Sequence, residues 1–382
     1  MWFLWFFIFT STPVLPSSGH IVKGDLRVYR APVITKNEAG TIRGKGHYAI
    51  LERGERCAEG RWWKIAPFYW VCSGWFVPGT EEPGGHEDWA AAVPVTGWVQ
   101  GTGKYSFVAA TPNALRAGHV RRLRMLRGFF PIREVSLNSR TLLQLASGLY
   151  IDASTVEPFL DTRLQGVGMN LAQLPAGFVV NPEARFWKKN ESGVWEAVKK
   201  VDRYSFWFFS SVDNERAYLR TQPSMALLRA DIRVATTPPS VPSEVRNKDE
   251  PWVDVDIANN ILYAFKGQQL VRIFLISAAT DTPKGLYRIY WKQDRALFDR
   301  QQQRNAYYLE NVPFVMYFKD AYALHGAYWH DGFGVNETHG CINLSPVDAR
   351  WLFSFLWPTL PPGYASLRAD ARTPGSWIRL RR

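Results

Sequence analysis

Short apolar runs separated by turn residues recur along most of this 382-residue chain, and that rhythm limits the fold more than any other feature. Between Ile21 and Pro78 the runs are Leu-Arg-Val-Tyr at 26–29, Tyr-Ala-Ile-Leu at 48–51, Trp-Trp-Lys-Ile at 62–65 and Gly-Trp-Phe-Val at 74–77. Runs of this length, rich in aromatic and branched residues and bounded by Gly, Pro, Asn and Asp, favour strands over helices. The spacing predicts a small all-β barrel over 20–80. A similar rhythm between Arg124 and Ser154 predicts a second small barrel over 100–160. Residues 161–234 hold strand-like runs at 177–180 and 206–209 and are read as β-rich, without an assignable fold.

Residues 235–250 break the pattern. They carry three prolines, many small polar residues and few core formers, the composition of a semi-extended connector. A separate domain over 251–365 is expected after it. Val253, Val255 and Ile257 alternate with Asp254 and Asp256, the period of a half-buried strand. Asn259-Asn260 marks a turn, the next strand runs over 261–265, and a third over 270–277. Thr282-Pro283-Lys284-Gly285 is another turn, and 312–318 is a long apolar strand. One helix is well signalled. Ser345 is its cap, Pro346 its first residue and Asp348 the acid of its first turn. Val347, Trp351, Leu352, Phe355 and Leu356 are expected to line its buried face, and Pro358 ends it.

Composition excludes several classes. At 46% hydrophobic residues the chain can build real cores, so it is not mainly disordered. No apolar run reaches the ~18–20 residues of a membrane-spanning helix. Three cysteines cannot make a disulfide-dense scaffold. The net charge of +12 favours a polyanionic partner, but the basic residues are scattered, with Arg121-Arg122 and Arg381-Arg382 the tight clusters. No nucleic-acid-reading motif accompanies them, so nucleic acid is not an expected partner.

The first residues read as a secretory leader over 1–19: an apolar core at 2–9, then Thr10, Ser11 and Thr12, with Ser17 and Gly19 at the small-residue positions of a cut. No basic residue precedes the core. Export implies an oxidising compartment, where Cys57 and Cys72, 15 residues apart, can close a local disulfide; the alternative is two reduced core cysteines. Cys341 is then left over as a reactive thiol.

Two segments concentrate the reactive groups: Leu324-His325-Gly326-Ala327-Tyr328-Trp329-His330 and Thr338-His339-Gly340-Cys341-Ile342-Asn343-Leu344. A cysteine nucleophile needs a base to take its proton and amides to hold an oxyanion. His325 or His339 can be the base, and the amides of Gly340 and Cys341 can face the oxyanion. Three of the seven histidines lie between His325 and Cys341. Their spacing, with the cysteine, fits no standard zinc pattern, so no metal and no cofactor are expected. His330 alone is read as a surface or supporting residue.

These segments resemble the L,D-transpeptidase (YkuD-like) catalytic family, whose signature is His-Gly followed by Ser/Thr-His-Gly-Cys. Here that is His325-Gly326 and Thr338-His339-Gly340-Cys341. The strand pair at 253–265, Ser277 and the turn at 282–285 look like the family's flanks, so the resemblance runs roughly from Glu250 to Tyr364. It implies a mostly β fold with a β-sandwich catalytic domain. It also implies that Cys341 attacks a peptidoglycan stem peptide, forms a thioester with release of D-alanine, and passes the acyl group to an amine in a 3→3 cross-link.

By the same resemblance His325 is the proton acceptor, with the Gly326 carbonyl orienting it, while Thr338 and His339 shape the cysteine loop. Asn343 stands where many members have Arg, with Arg350 as a substitute for holding the donor's carboxylate. Tyr317 and Trp329 are pocket candidates, and 288–308 is a mobile lid. Carbapenems are the expected inhibitors, and the periplasm or cell wall the expected location. The 20–80 region loosely resembles bacterial Src-homology-type barrels, through Tyr29-Arg30-Ala31-Pro32 and Gly74-Trp75-Phe76-Val77. Transfer to water (an L,D-carboxypeptidase), transfer to a lipoprotein lysine, and non-catalytic wall binding are the alternatives.

Overall fold

The computed structural model describes residues 15–36, 38–86, 91, 93–302, 305–336 and 340–382. The expected leader core, Thr338 and His339 therefore lie outside the described residues. The chain is mostly β and divides into two compact units, 1–92 with 360–367, and 93–359 with 368–382.

The first unit is an antiparallel sheet in the order Gly40–Ile42, Leu26–Tyr29, Tyr69–Cys72, Gly60–Ile65, Tyr48–Cys57, Ser18–Ile21 and Phe76–Gly79. Its predicted strands form where the sequence places them. One more comes from the far end of the chain: Tyr364–Arg368 pairs with Gly40–Ile42, Thr41 opposite Ser366. Tyr364 packs against Tyr48 and Tyr69 in the core, so 20–80 does not complete this unit by itself. Ser18 and Gly19, at the expected leader cut, pair with Gly79 and Pro78. Cys57 and Cys72 are joined in a disulfide with their Cα atoms 6.3 Å apart, beside Tyr29, Trp62 and Trp70.

In the second unit, the strand expected at 253–257 forms as Pro251–Asp256. It lies between Ile261–Lys266 and Trp377–Arg381, parallel to the latter. The expected half-buried alternation does not hold, because all six residues are buried. Asp254 and Asp256 are matched by guanidiniums from the C-terminal strand. Arg379 Nε donates to Asp254 at 2.9 Å, Arg381 Nε to Asp254 at 2.8 Å and Arg381 Nη1 to Asp256 at 3.0 Å. A sheet face that looks solvated by its acids is therefore closed by cations alternating with Ile378 and Leu380.

The other strand system of this unit is built on Tyr307–Lys319. It pairs antiparallel with Trp291–Asp299 and with Tyr322–Gly326, which runs parallel to Ile342–Leu344. The helix Pro346–Phe355 packs on Tyr307–Lys319 and Tyr322–Gly326. Ser345 caps it as expected, its Oγ accepting from the Asp348 amide at 3.1 Å. The buried face differs from the expected one: Asp348, Ala349, Leu352 and Phe353 are inside, and Val347 is exposed. Asp348 is drawn inward because the Gly166 amide donates to it at 2.7 Å. Trp351 and Phe355 stack on each other, centroids 4.8 Å apart, at the rim. At the other end the buried Lys292 donates to the Phe353 and Leu356 carbonyls at 2.6 and 2.7 Å, satisfying acceptors that a helix end leaves open.

Residues 93–234, expected to be separate from the domain over 251–365, lie in one unit with most of it. Leu126–Phe129, in the expected second barrel, lies parallel to Tyr307–Lys319 and extends its sheet. That region's core, including Val108, Leu123, Phe129 and Ile151, takes in Tyr308 of that strand. Ser147 Oγ, the Phe130 amide and Tyr308 Oη all donate to the buried Glu310 carboxylate. Trp98 stacks on Tyr328 at 4.3 Å. From the unassigned 161–234, Val167–Gly168 adds to the sheet of Pro251–Asp256 beside Gln269–Leu275, and the rest forms a seven-stranded sheet. The connector is pinned: Arg379 donates to the Pro239 and Ser240 carbonyls, Trp377 Nε1 to that of Glu244, and Tyr263 Oη to that of Thr236.

Candidate active site

Register brings the two motif segments together. Tyr322–Gly326 and Ile342–Leu344 are parallel neighbours with His325 opposite Asn343. Extended chain puts residues two apart on one side, so Cys341 shares the side of Asn343. A cavity of about 240 Å³ opens there, and Cys341, His325, His330 and Asn343 all line it. Its apolar wall is Leu126, Phe298, Leu309 and Trp329.

His325 is 2% exposed. Its Nδ1 donates to the Gly326 carbonyl at 3.2 Å, which places its one proton there and leaves the Nε2 lone pair free. Phe298 meets the ring edge-on at 5.2 Å and Trp329 lies 5.5 Å away. Burial pushes the His325 pKa down to about 4; the Gly326 carbonyl opposes that shift and His330 adds to it. Burial pushes the Cys341 thiol up, against smaller downward pulls from the Ala323 backbone and Arg300. Burial thus favours the neutral thiol, whose Sγ donates to the Ala321 carbonyl at 3.8 Å, and a neutral imidazole in the same cavity.

The cysteine loop is held by backbone geometry that only glycine supplies. Gly340 has φ +103°, and a Cβ there would stand 2.4 Å from Cε1 of Tyr322. Thr282 Oγ1 donates to the Gly340 carbonyl at 3.1 Å, so the turn at 282–285 braces the loop. Ser277 pairs with Asn343 in the sheet and donates from Oγ to the Gly332 carbonyl at 2.9 Å.

Other site residues fall differently. Trp329 lines the cavity. Tyr317 does not; it stacks on Trp291 with centroids 5.1 Å apart. Arg350 is turned away to donate to the Val93 carbonyl at 2.8 Å, and is not among the lining residues. The segment expected as a mobile lid is the hairpin of Trp291–Asp299 and Tyr307–Lys319. Its tip is tied to the neighbouring strand Arg121–Arg124 by Arg121 on Asp299 at 2.6 Å and the Arg124 amide on Gln301 at 2.8 Å.

His330, read as a surface or supporting residue, is in the cavity with its Nε2 2.9 Å from the Asn343 amide. Its loop is stapled by the 161–234 region: Arg203 and Tyr204 donate to Asp331, and Arg233 Nε donates to the Gly334 carbonyl at 2.7 Å. The available signal was His330 itself, inside the Trp-His-Asp-Gly that follows His325-Gly326. Leu126 and Phe298 carried none, since strand pairing between distant segments places them.

Cys341 and a neutral His325 thus face one apolar-walled cavity. Residues 250–363 match the L,D-transpeptidase catalytic domain family, YkuD, and this stretch carries both motif segments. Among solved structures, the chain is similar to an L,D-transpeptidase from Xylanimonas cellulosilytica, 21% identical over 36% of this chain and 62% of that one, TM-score 0.27. It is also similar to the catalytic domain of the Enterococcus faecium L,D-transpeptidase, 17% identical over 35% and 98%, TM-score 0.27. A third is an L,D-transpeptidase from Mycobacterium smegmatis, 15% identical over 57% and 100%, TM-score 0.29. The chain thus spans less than two thirds of the first of these. No curated protein matches it.

Proposed function

We propose that this protein is an exported peptidoglycan L,D-transpeptidase that works through a thioester on Cys341. What supports the reading is that Cys341 and His325 line one cavity inside the stretch matching the catalytic family, with His325 Nε2 left free by the Nδ1–Gly326 bond. His325 Nε2 takes the Sγ proton as sulfur attacks the carbonyl carbon after the third residue of a stem peptide. The amides of Gly340 and Cys341 receive the oxyanion. The imidazolium returns its proton to the leaving nitrogen, the C–N bond breaks, and D-alanine departs. An amine of a second stem then attacks the thioester, losing a proton to His325. The thiolate leaves and is reprotonated, and a 3→3 cross-link remains. The bond energy of the cleaved peptide is carried over in the thioester, so the cycle balances without a nucleotide. The Asn343 amide lies beside the thiol to bind the donor. Thr338 and His339 complete the cysteine loop in this reading.

Intact-protein mass spectrometry after mixing with a carbapenem tests the thioester. The full chain is expected to gain one carbapenem mass and a Cys341→Ala variant none. A folded wild type with a titratable thiol and no adduct would favour non-catalytic wall binding. Products from a tetrapeptide-bearing muropeptide name the acceptor: a dimer for transpeptidation, a tripeptide for water.

A further inference from the structure

Two hydrogen bonds to one imidazole decide which way the Asn343 amide faces. The Gly332 N–H points at His330 Nδ1 from 3.2 Å. A backbone N–H can only donate, so Nδ1 accepts. A neutral imidazole has one N–H and one lone pair, so the His330 proton is on Nε2, and Nε2 donates. The Asn343 carboxamide is the group it meets, 2.9 Å away. If the amide nitrogen faced Nε2, both ring nitrogens would have to accept, which only an imidazolate does. The oxygen and nitrogen ends of a carboxamide have nearly the same shape, so turning it over costs no space. The amide oxygen faces His330, and the NH2 is left to the cavity shared with Cys341 and His325.

The arrangement is braced from behind. Ser277 Oγ holds the Gly332 carbonyl at 2.9 Å, and Ser277 is itself the sheet partner of Asn343. Arg203 and Tyr204 hold Asp331, between His330 and Gly332. The His330 ring also packs against buried Phe333, centroids 4.9 Å apart. Burial favours the neutral ring that the two bonds require.

We propose that His330 is a positioning residue: through Nε2–H it turns the Asn343 carboxamide so that its NH2 donates to a carbonyl oxygen of the acyl donor beside Cys341. This rests on the transpeptidase reading above. His330 touches no reacting atom; it acts through Asn343.

The test is a double-mutant cycle on the full chain, with D-alanine release from a tetrapeptide stem as the rate and carbapenem mass addition as the separate check for a working thiol. Asn343→Ala is expected to slow release about 100-fold, the usual loss for one preorganised donor. Asn343→Asp keeps the acceptor for His330 but loses the NH2, and is expected to be as slow. His330→Phe is expected to cost about tenfold, since the amide then turns freely. In the Asn343→Ala background the same His330→Phe change is expected to cost nothing further, because the two act as one unit. His330→Gln can donate through its amide nitrogen and accept through its oxygen, and is expected to recover most of the wild-type rate. It is also the deciding variant if His330→Phe does not fold. The inference is overturned if Asn343→Asp releases D-alanine at the wild-type rate, if the His330→Phe loss persists in the double variant, or if folded His330→Gln is as slow as Asn343→Ala. A wild type that gains no carbapenem mass and releases no D-alanine sinks the transpeptidase reading itself, a different result from any of these.

Discussion

Two of the places where the second unit buries polar groups treat them in opposite ways. On the interior strand Pro251–Asp256, Asp254 is fully buried, yet two guanidiniums face it. In the cavity, His325 is almost as buried and no carboxylate is among the described lining residues. Burial shifts every one of these groups toward its neutral form. It raises the Asp254 carboxyl, against the pull of Arg381 and Arg379, and it lowers His325 to about 4. The interior strand answers burial with opposite charge and gains a fixed structure. The cavity leaves its groups neutral, and a neutral thiol beside a neutral base can transfer a proton when a substrate arrives.

The largest effect is expected where the neutral pair is broken. His325→Ala removes the imidazole lone pair that opens on the cavity shared with Cys341, and should slow thioester formation by about 100- to 10,000-fold, the range for loss of a general base. The wild-type rate should also keep its neutral-pH value down to about pH 5 and fall only near pH 4, where His325 takes up a proton. Iodoacetamide alkylation of Cys341 should show the other half. For a neutral thiol raised by burial, alkylation climbs only above the ordinary thiol range near pH ~8.5. A plateau of fast alkylation from pH 5 upward would mean a thiolate–imidazolium pair, and the contrast between the two regions would be lost.

At the interior strand the expected effect is on stability. Asp254→Ala leaves Arg379 and Arg381 facing a buried gap. Removing one partner of a buried ion pair costs about 3–5 kcal/mol, and because the two arginines reach partly into solvent the lower end, about 3 kcal/mol, is expected in urea unfolding. Carbapenem acylation of the protein that remains folded should be unchanged. If Asp254→Ala costs nothing, the arginines find water as readily as they found the aspartate, and the strand pair is not held by charge.

These two regions also differ in what the sequence could say about them. The cavity's reactive half was legible because it is local: His325-Gly326 and Gly340-Cys341-Ile342-Asn343 lie on adjacent strands, and their residue types announce the chemistry. The strands at 251–256 and 261–266 and the cap at Ser345 were legible for the same reason, each being a short-range pattern. The burial of Asp254 was not, because the arginines that allow it are supplied by a strand at the far end of the chain. Nor was the inward turn of Asp348, which depends on the amide of Gly166. The expected second barrel failed to read as part of the catalytic sheet because Leu126–Phe129 joins it through a parallel pairing, and no turn signal marks such a contact. Arg350 has the right charge and the wrong direction, a fact that only the Val93 carbonyl reveals.

The smallest effect sharpens the comparison most, because it separates the two regions within a single titration. An unfolded histidine titrates near 6.5, while folded His325 does so at about 4. Between those values the unfolded state binds the proton and the folded state does not, so this group's contribution to stability falls as pH falls through that window. At pH 5.5 the loss is about 1.4 kcal/mol relative to neutral pH, from the ~1.36 kcal/mol carried by each pKa unit. Asp254 has the opposite sign. Its folded pKa lies above the unfolded value of 3.8, so the folded state takes the proton first and its contribution rises as the solution becomes more acid. Urea unfolding at pH 7.5, 6.5 and 5.5 should therefore give a stability that declines with acidity in wild type. In His325→Phe the decline should be about 1.4 kcal/mol smaller over the same range, because one of the two buried imidazoles responsible is gone while His330, also lowered to about 4, keeps its share. In Asp254→Asn the decline should be no smaller than in wild type, because burial raises that carboxyl and its contribution runs the opposite way. Equal slopes in wild type and His325→Phe would show that His325 is solvated rather than buried neutral, and with that the physical basis for its role as a ready proton acceptor would fail.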